Sequence, residues 1–135
     1  MTEDRVAVVR AFFDAWNRRD LETALEMTGD DFEYVNPPNA VEPGTRRGAD
    51  GIETVLGKQW EAMGDDARLV IDRMHEKGDW VIAEARLSRG MPESAARLEV
   101  KVALRCAFAG ERLVGLEVLG AGTTYEEGLA RAGVA

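Results

Sequence analysis

Histidine and cysteine occur once each in this chain, as His75 and Cys106. One histidine, one cysteine and scattered acids lack the ligand spacing of a metal site, so neither a metal nor a cofactor is expected. A lone cysteine excludes an internal disulfide. Cys106 falls on the apolar parity of a strand pattern, where an inert, buried thiol is the expectation. Positive charge is also in the minority: 17 Lys and Arg stand against 25 Asp and Glu, a net charge of −8. That balance repels phosphate backbones, so nucleic acid is not an expected partner. No apolar run approaches the roughly 18–20 residues of a membrane helix. The opening MTEDRVAVVR carries acids where a signal peptide has a basic start. The expected location is therefore the cytoplasm, with no membrane partner. Repeats and low-complexity stretches are lacking as well.

What remains is the composition of an ordinary soluble domain, with 45% hydrophobic and 31% charged residues. At 135 residues the chain is read as one domain, 1–135, large enough to bury a core without staples. Its clearest pattern runs from Arg97 to Leu119. Leu98, Val100, Val102, Leu104, Cys106 and Phe108 share one parity, with charged and small residues on the other. That is the period of a strand with one dry face. A break at Gly110-Glu111 and a second apolar run to Leu119 predict an antiparallel hairpin.

Upstream, Val6, Val9, Phe13 and Trp16 recur at helical spacing over residues 3–18, with Phe12 broadening the stripe. Asp20 is a predicted N-cap for a short second helix carrying Leu21, Ala24 and Leu25, which Gly29-Asp30-Asp31 ends. Phe32 to Val35 reads as a short extended piece closed by Asn36-Pro37-Pro38, and 39–48 as a loop. Ile52, Val55, Leu56, Trp60 and Met63 predict a third helix over 49–63. Strands follow at 68–76 and 80–88, turned by Lys77-Gly78-Asp79. Thr124-x-x-Glu127 is a capping-box pattern for a last short helix. The order predicts an α+β fold, with three to four helices packed on one side of an antiparallel sheet.

Four segments carry a resemblance to a known family: AFFDAWNRRDLETALEMTGDDFEYVNPP (Ala11–Pro38), GTRRGADGIETVL (Gly44–Leu56), EKGDWVIAEARL (Glu76–Leu87) and GERLVGLEVL (Gly110–Leu119). The chain resembles the SnoaL-like proteins of the nuclear-transport-factor-2-like superfamily over essentially its whole length. The resemblance implies a cone-shaped, strongly curved sheet wrapped around helices (a cystatin-like α+β roll), with an apolar pocket at one end. It also implies a homodimer formed through the outer sheet face. The superfamily includes ketosteroid isomerases, polyketide cyclases and epoxide hydrolases, and fold does not choose among them.

If the apolar parity faces the cone, Leu87, Val100, Val102, Leu104 and Val118 line the pocket with Val81, Ala83, Ala85, Leu98, Cys106 and Leu116. Glu84, Arg86, Glu99, Lys101, Arg105 and Glu117 then point outward as cross-strand charge pairs. A slip of one residue would instead bring Glu84 and Arg86 inside. Trp16 and Trp60 sit on the helix stripes that close the cone, as core or as walls for a flat ligand. Trp80, on the outer parity, reads as an anchor for a dimer.

Three residues stand as catalytic candidates. Tyr34 and Asn36, two apart on an extended segment, share a face and can present oxygens to one water or one ligand carbonyl. Tyr34-Val35-Asn36-Pro37 resembles the Tyr-x-Asn-x-Pro of limonene-epoxide-hydrolase-like enzymes, where that pair helps hold the attacking water. The rest of that machinery would fall on Ala85, Leu87 and Val118, which are not ionisable. A tyrosine can also serve as an oxyanion donor, as in ketosteroid-isomerase-like sites, if a carboxylate near Asp31 lies within reach. His75 has the only side chain with an unperturbed pKa near neutrality, and its parity with Leu69, Ile71 and Arg73 places it inward.

Three functions are compatible with this pattern. The first is a binding or cyclase-type protein with a pocket for a small hydrophobic molecule. The second is an acid–base enzyme, isomerase or epoxide hydrolase, which needs Glu84, Arg86, His75 or an acid near Asp31 inside the cone. The third is an interaction module that uses the outer sheet face.

Overall fold

A computed structural model describes residues 5–36, 44–64, 66–90, 97–110 and 112–121. Its elements are α1 (Arg5–Arg18), α2 (Leu21–Glu26), β1 (Thr28–Asn36), β2 (Gly44–Arg47), α3 (Gly48–Met63), β3 (Arg68–Lys77), β4 (Trp80–Gly90), β5 (Arg97–Ala109) and β6 (Arg112–Ala121). The strands form one six-stranded sheet in the order β2-β1-β6-β5-β4-β3. Pairing is antiparallel except between β1 and β6, which run parallel. The sheet is therefore mixed rather than wholly antiparallel. The α+β architecture expected from the sequence is present. The last helix expected from Thr124 and the Pro37-Pro38 turn lie outside the described residues, as does the side chain of Leu98.

The helices form where the stripes predict. Val9, Phe12, Phe13 and Trp16 of α1 and Ile52, Val55 and Leu56 of α3 are buried. They share one apolar cluster with Phe32, Tyr34, Val81, Ala83, Ala85, Leu104, Cys106, Phe108, Leu113 and Leu116 from the strands. Asp20 caps α2 as expected: its carboxylate accepts from the Thr23 backbone N–H at 3.1 Å and from the Thr23 hydroxyl at 2.6 Å. Those bonds hold its carboxyl below the usual range.

The junction around α1 explains the Trp16-Asn17-Arg18-Arg19-Asp20 run. Asn17 donates to the Leu69 carbonyl at 2.9 Å and accepts from the Leu69 N–H at 2.7 Å, imitating a neighbouring strand and pinning the start of β3. Arg19 ends α1 in the left-handed region at φ 61°, a conformation that costs a non-glycine residue about 1 kcal/mol. Its guanidinium offsets that cost by donating to the carbonyls of Gly64 (2.7 Å) and Ala67 (3.2 Å). It also lies over the rings of Trp16 and Trp60, 5.1 and 5.8 Å from their centroids. At another corner, Arg5 ties together the β3–β4 and β5–β6 turns. It donates to the carbonyls of Gly110 and Gly78 and pairs with Asp79.

Three expectations need correction here. Gly44–Arg47 is a strand, not loop. All four residues are exposed, so β2 carries no apolar alternation, and a short charged edge strand leaves no periodic signal. β1 also starts at Thr28, earlier than expected, with an irregular register between Thr28 and Glu33.

The third correction concerns His75. The β3–β4 register shifts between Ile71 and Arg73, so Asp72 is an extra residue in the ladder. A bulge of one residue reverses the faces beyond it. Leu69 and Ile71 pack on the core, then Met74 does, and His75 is turned outward and exposed. A second shift, between Ala107 and Phe108 opposite Val114, lets Leu113 and Leu116 both face the core. Such bulges bend a sheet, as the expected curvature requires.

Candidate functional site

Alternation along β1 sends Phe32, Tyr34 and Asn36 to the helix side and leaves Glu33 and Val35 on the other. Tyr34 is 3% exposed and Asn36 5%. Tyr34 lies between Leu116 on β6 and the inner face of α3. Above it, α3 offers one polar residue on its buried stripe, Gln59, 8% exposed. The Trp16 indole Nε1–H donates to Gln59 Oε1 at 3.1 Å, and Gln59 Nε2–H donates to the Tyr34 hydroxyl at 3.2 Å. A continuous hydrogen-bonded chain, Trp16–Gln59–Tyr34, therefore crosses the interior from α1 through α3 to β1. Gln59 was not among the residues the sequence singled out. Its signal was present: a polar side chain in the i, i+3, i+4 phase of Ile52, Val55, Leu56 and Met63.

The other aromatic groups gather around this chain. The Trp16 and Trp60 rings are 6.3 Å apart, and Phe32 lies 6.5 Å from Tyr34. Trp60 is half-buried against the core, and its Nε1 is buried with no hydrogen-bond partner among the described residues. Of the predicted pocket lining, Leu104 is buried, while Leu87, Val102 and Val118 are partly buried and packed on the core. Val100, near the start of β5, is half-buried.

Burial sets the electrostatics. It pushes the Tyr34 phenol up to about 12, against a smaller opposing effect of the Gln59 hydrogen bond, so Tyr34 is a neutral donor at any ordinary pH. The Cys106 thiol is likewise pushed up to about 12 by burial, which fits the inert thiol expected. The buried polar side chains among the described residues are Thr28, Asn36, Gln59 and Ser88, none of which ionises.

The charged candidates lie on the opposite face of the sheet. Glu84 pairs with Arg73 at 3.4 Å, and Arg86 with Asp72 at 2.9 Å and Glu99 at 3.4 Å. Arg105 pairs with Glu117 and stacks over Trp80, 4.4 Å from the ring centroid. The register thus keeps Glu84 and Arg86 outside, as the parity predicts. Asp31, like His75, is exposed. Trp80 and Val70 are the exposed large apolar residues, at 37% and 40%. A shallow concavity of about 270 Å³ runs beside Trp80, Arg105, Val35 and Val114. Among the described residues no group of three His, Cys, Asp or Glu is placed to hold a metal ion, and no helix is long and apolar enough to cross a membrane.

A six-stranded mixed sheet with helices packed on one face is shared with solved proteins of the cystatin-like and NTF2-like folds. A cystatin-like protein of unknown function from Xanthomonas campestris superposes with a TM-score of 0.76 at 20% identity, covering 93% of this chain and 97% of that one. A putative SnoaL-like polyketide cyclase from Jannaschia gives 0.70 at 18% identity, covering 85% and 83%. TerC, co-crystallised with polyporic acid, gives 0.74 at 18%, covering 85% and 89%. At such identities these likenesses establish the fold. The sequence adds the family: residues 9–116 match the SnoaL-like domain, and the chain belongs to that family. No curated protein matches it.

Proposed function

We propose that this SnoaL-like domain binds a small hydrophobic molecule between its sheet and helices, in a binding or cyclase-type role that works by shape and hydrogen bonding. The observation that carries this reading is the buried Trp16–Gln59–Tyr34 chain, set among apolar side chains, whose hydrogen-bonding side chains are all uncharged. A few convergent polar groups in an apolar surround is the usual make-up of a small-molecule site. Tyr34 supplies the hydrogen bond, Asn36 stands beside it on the same face, and Trp16, Trp60, Leu104 and Val118 supply apolar contact. The acid–base alternative is less well supported, because Glu84 and Arg86 are held in ion pairs and His75 and Asp31 are exposed, whereas Tyr34 is buried. TerC, a protein of this fold, was co-crystallised with a small molecule, which accords with the proposal.

A thermal-shift screen against fused-ring ketones, phenols and small epoxides tests it. A ligand at about a hundred times its dissociation constant adds roughly 2.7 kcal/mol, several degrees for a domain of this size. The expected result is a rise with one chemical class that shrinks in Tyr34→Phe. Absence of any rise with all three classes would refute the proposal.

The outer face supports a second proposal, a homodimer. Trp80 and Val70 are exposed there among residues of alternating charge. A chain of net charge −8 approaches a copy of itself with least repulsion through such a charge-balanced face. Sedimentation should give a dimer that Trp80→Lys dissociates; a wild-type monomer would overturn this.

A further inference from the structure

The interior hydrogen-bonded chain has a direction, and the Trp16 end sets it. An indole Nε1 can only donate, so Gln59 must turn its amide oxygen toward Trp16. The amide nitrogen is then left to face Tyr34 and donates to the phenol oxygen. With that oxygen already accepting, the Tyr34 O–H is the hydrogen left to donate. The buried Trp60 Nε1 has the same sign: a donor with no partner among the described residues. A buried donor left unmatched is costly, so a site with spare donors favours an occupant that brings an acceptor. A charged occupant is disfavoured, because the cation beside Trp16 and Trp60, Arg19, is already engaged with the Gly64 and Ala67 carbonyls.

Resting on the binding role proposed above, we infer that Gln59 is a specificity-determining residue. By holding Tyr34 as a donor, it selects uncharged molecules that present a hydrogen-bond acceptor such as a carbonyl oxygen. Gln59 acts through Tyr34 and is a positioning residue.

The substitution Gln59→Glu turns this into a switch. When the introduced carboxyl is protonated, it can accept from Trp16 and donate to Tyr34, as the amide does. Once ionised it only accepts, takes the Tyr34 proton in a hydrogen bond, and leaves the phenol oxygen as an acceptor. A carbonyl then faces a lone pair instead of a hydrogen. A residue that merely filled space would impose no such dependence on pH.

Titration calorimetry with 1-tetralone and tetralin, which share a ring skeleton and differ by the carbonyl, reads this out. The ratio of their affinities is the measured quantity, in wild type, Tyr34→Phe and Gln59→Glu between pH 5 and 9. Tyr34→Phe should lower the ketone's affinity relative to the hydrocarbon about tenfold, the worth of one hydrogen bond to a buried donor. Gln59→Glu should keep the wild-type ratio at low pH and lose it as pH rises, while wild type stays flat. If both probes bind and the ratio is the same in all three proteins, the inference is overturned and the binding role stands. If neither probe binds wild type, the inference is overturned, and the thermal-shift screen separately decides the binding role. Should Gln59→Glu not fold, the ratio in Tyr34→Phe still decides the matter.

Discussion

Replacing Gln59 by leucine tests whether the interior polar chain exists as described. The side chain is almost wholly buried and holds Trp16 Nε1 at 3.1 Å and the Tyr34 hydroxyl at 3.2 Å. Leucine is of similar volume, so no large cavity opens and the loss is polar. The Trp16 N–H, a donor with no other role, stays buried without a partner, which costs about 1–3 kcal/mol. Tyr34 loses a donor to its oxygen, a smaller penalty because the hydroxyl can reorient. A net destabilisation of about 2 kcal/mol is expected, read as a lower urea midpoint with an unchanged slope. A double-mutant cycle isolates the second bond. Tyr34→Phe should cost about 1 kcal/mol in the wild-type background and close to nothing in Gln59→Leu. A neutral or stabilising Gln59→Leu, or additive costs in the cycle, would refute the chain.

Other expectations follow from the same contacts. Arg5→Met should destabilise by about 1–2 kcal/mol in urea unfolding, since one partly buried guanidinium ties two hairpin turns together. Asn17→Ala should cost about 2 kcal/mol and accelerate amide exchange at Leu69, whose N–H it receives. Tyr34 and Cys106 are acids whose pKa burial raises to about 12, from ordinary values of 10.0 and 9.0. The unfolded chain therefore gives up those protons first, and stability falls as pH climbs from about 9 toward 12. Each group contributes at most about 1.4 kcal/mol per pH unit between its unfolded and folded values. Urea midpoints at pH 7.5 and 10.5 should differ less in Cys106→Ala than in wild type.

Much of this fold is legible from periodicity. The stripes of α1 and α3 and the alternation of β5 report burial directly, because one face of each element is dry. β2 was not legible, since an edge strand exposed on every residue has no dry face to announce it. Nor does any local pattern say that β1 pairs parallel to β6, a contact between residues far apart in the chain. His75 was misplaced because parity was carried through Asp72. The clue lay in Met74, an apolar residue one step out of phase with Leu69 and Ile71, as a bulge requires. Spacing put Tyr34 and Asn36 on one face and Trp16 on the dry stripe of α1, and all three are buried. Gln59 is harder to read, because a neutral amide within an apolar stripe carries neither the charge nor the ring that marks a candidate site residue.

The proposed function puts a ligand beside Tyr34, between helices and sheet. Trp16 and Trp60 line that place and Trp80 lies on the far face, so the three indole N–H signals in a ¹H–¹⁵N spectrum report the location directly. Titration with 1-tetralone should move the Trp16 and Trp60 signals and leave that of Trp80 in place. Movement of the Trp80 signal alone would contradict the claim and put the ligand on the outer sheet.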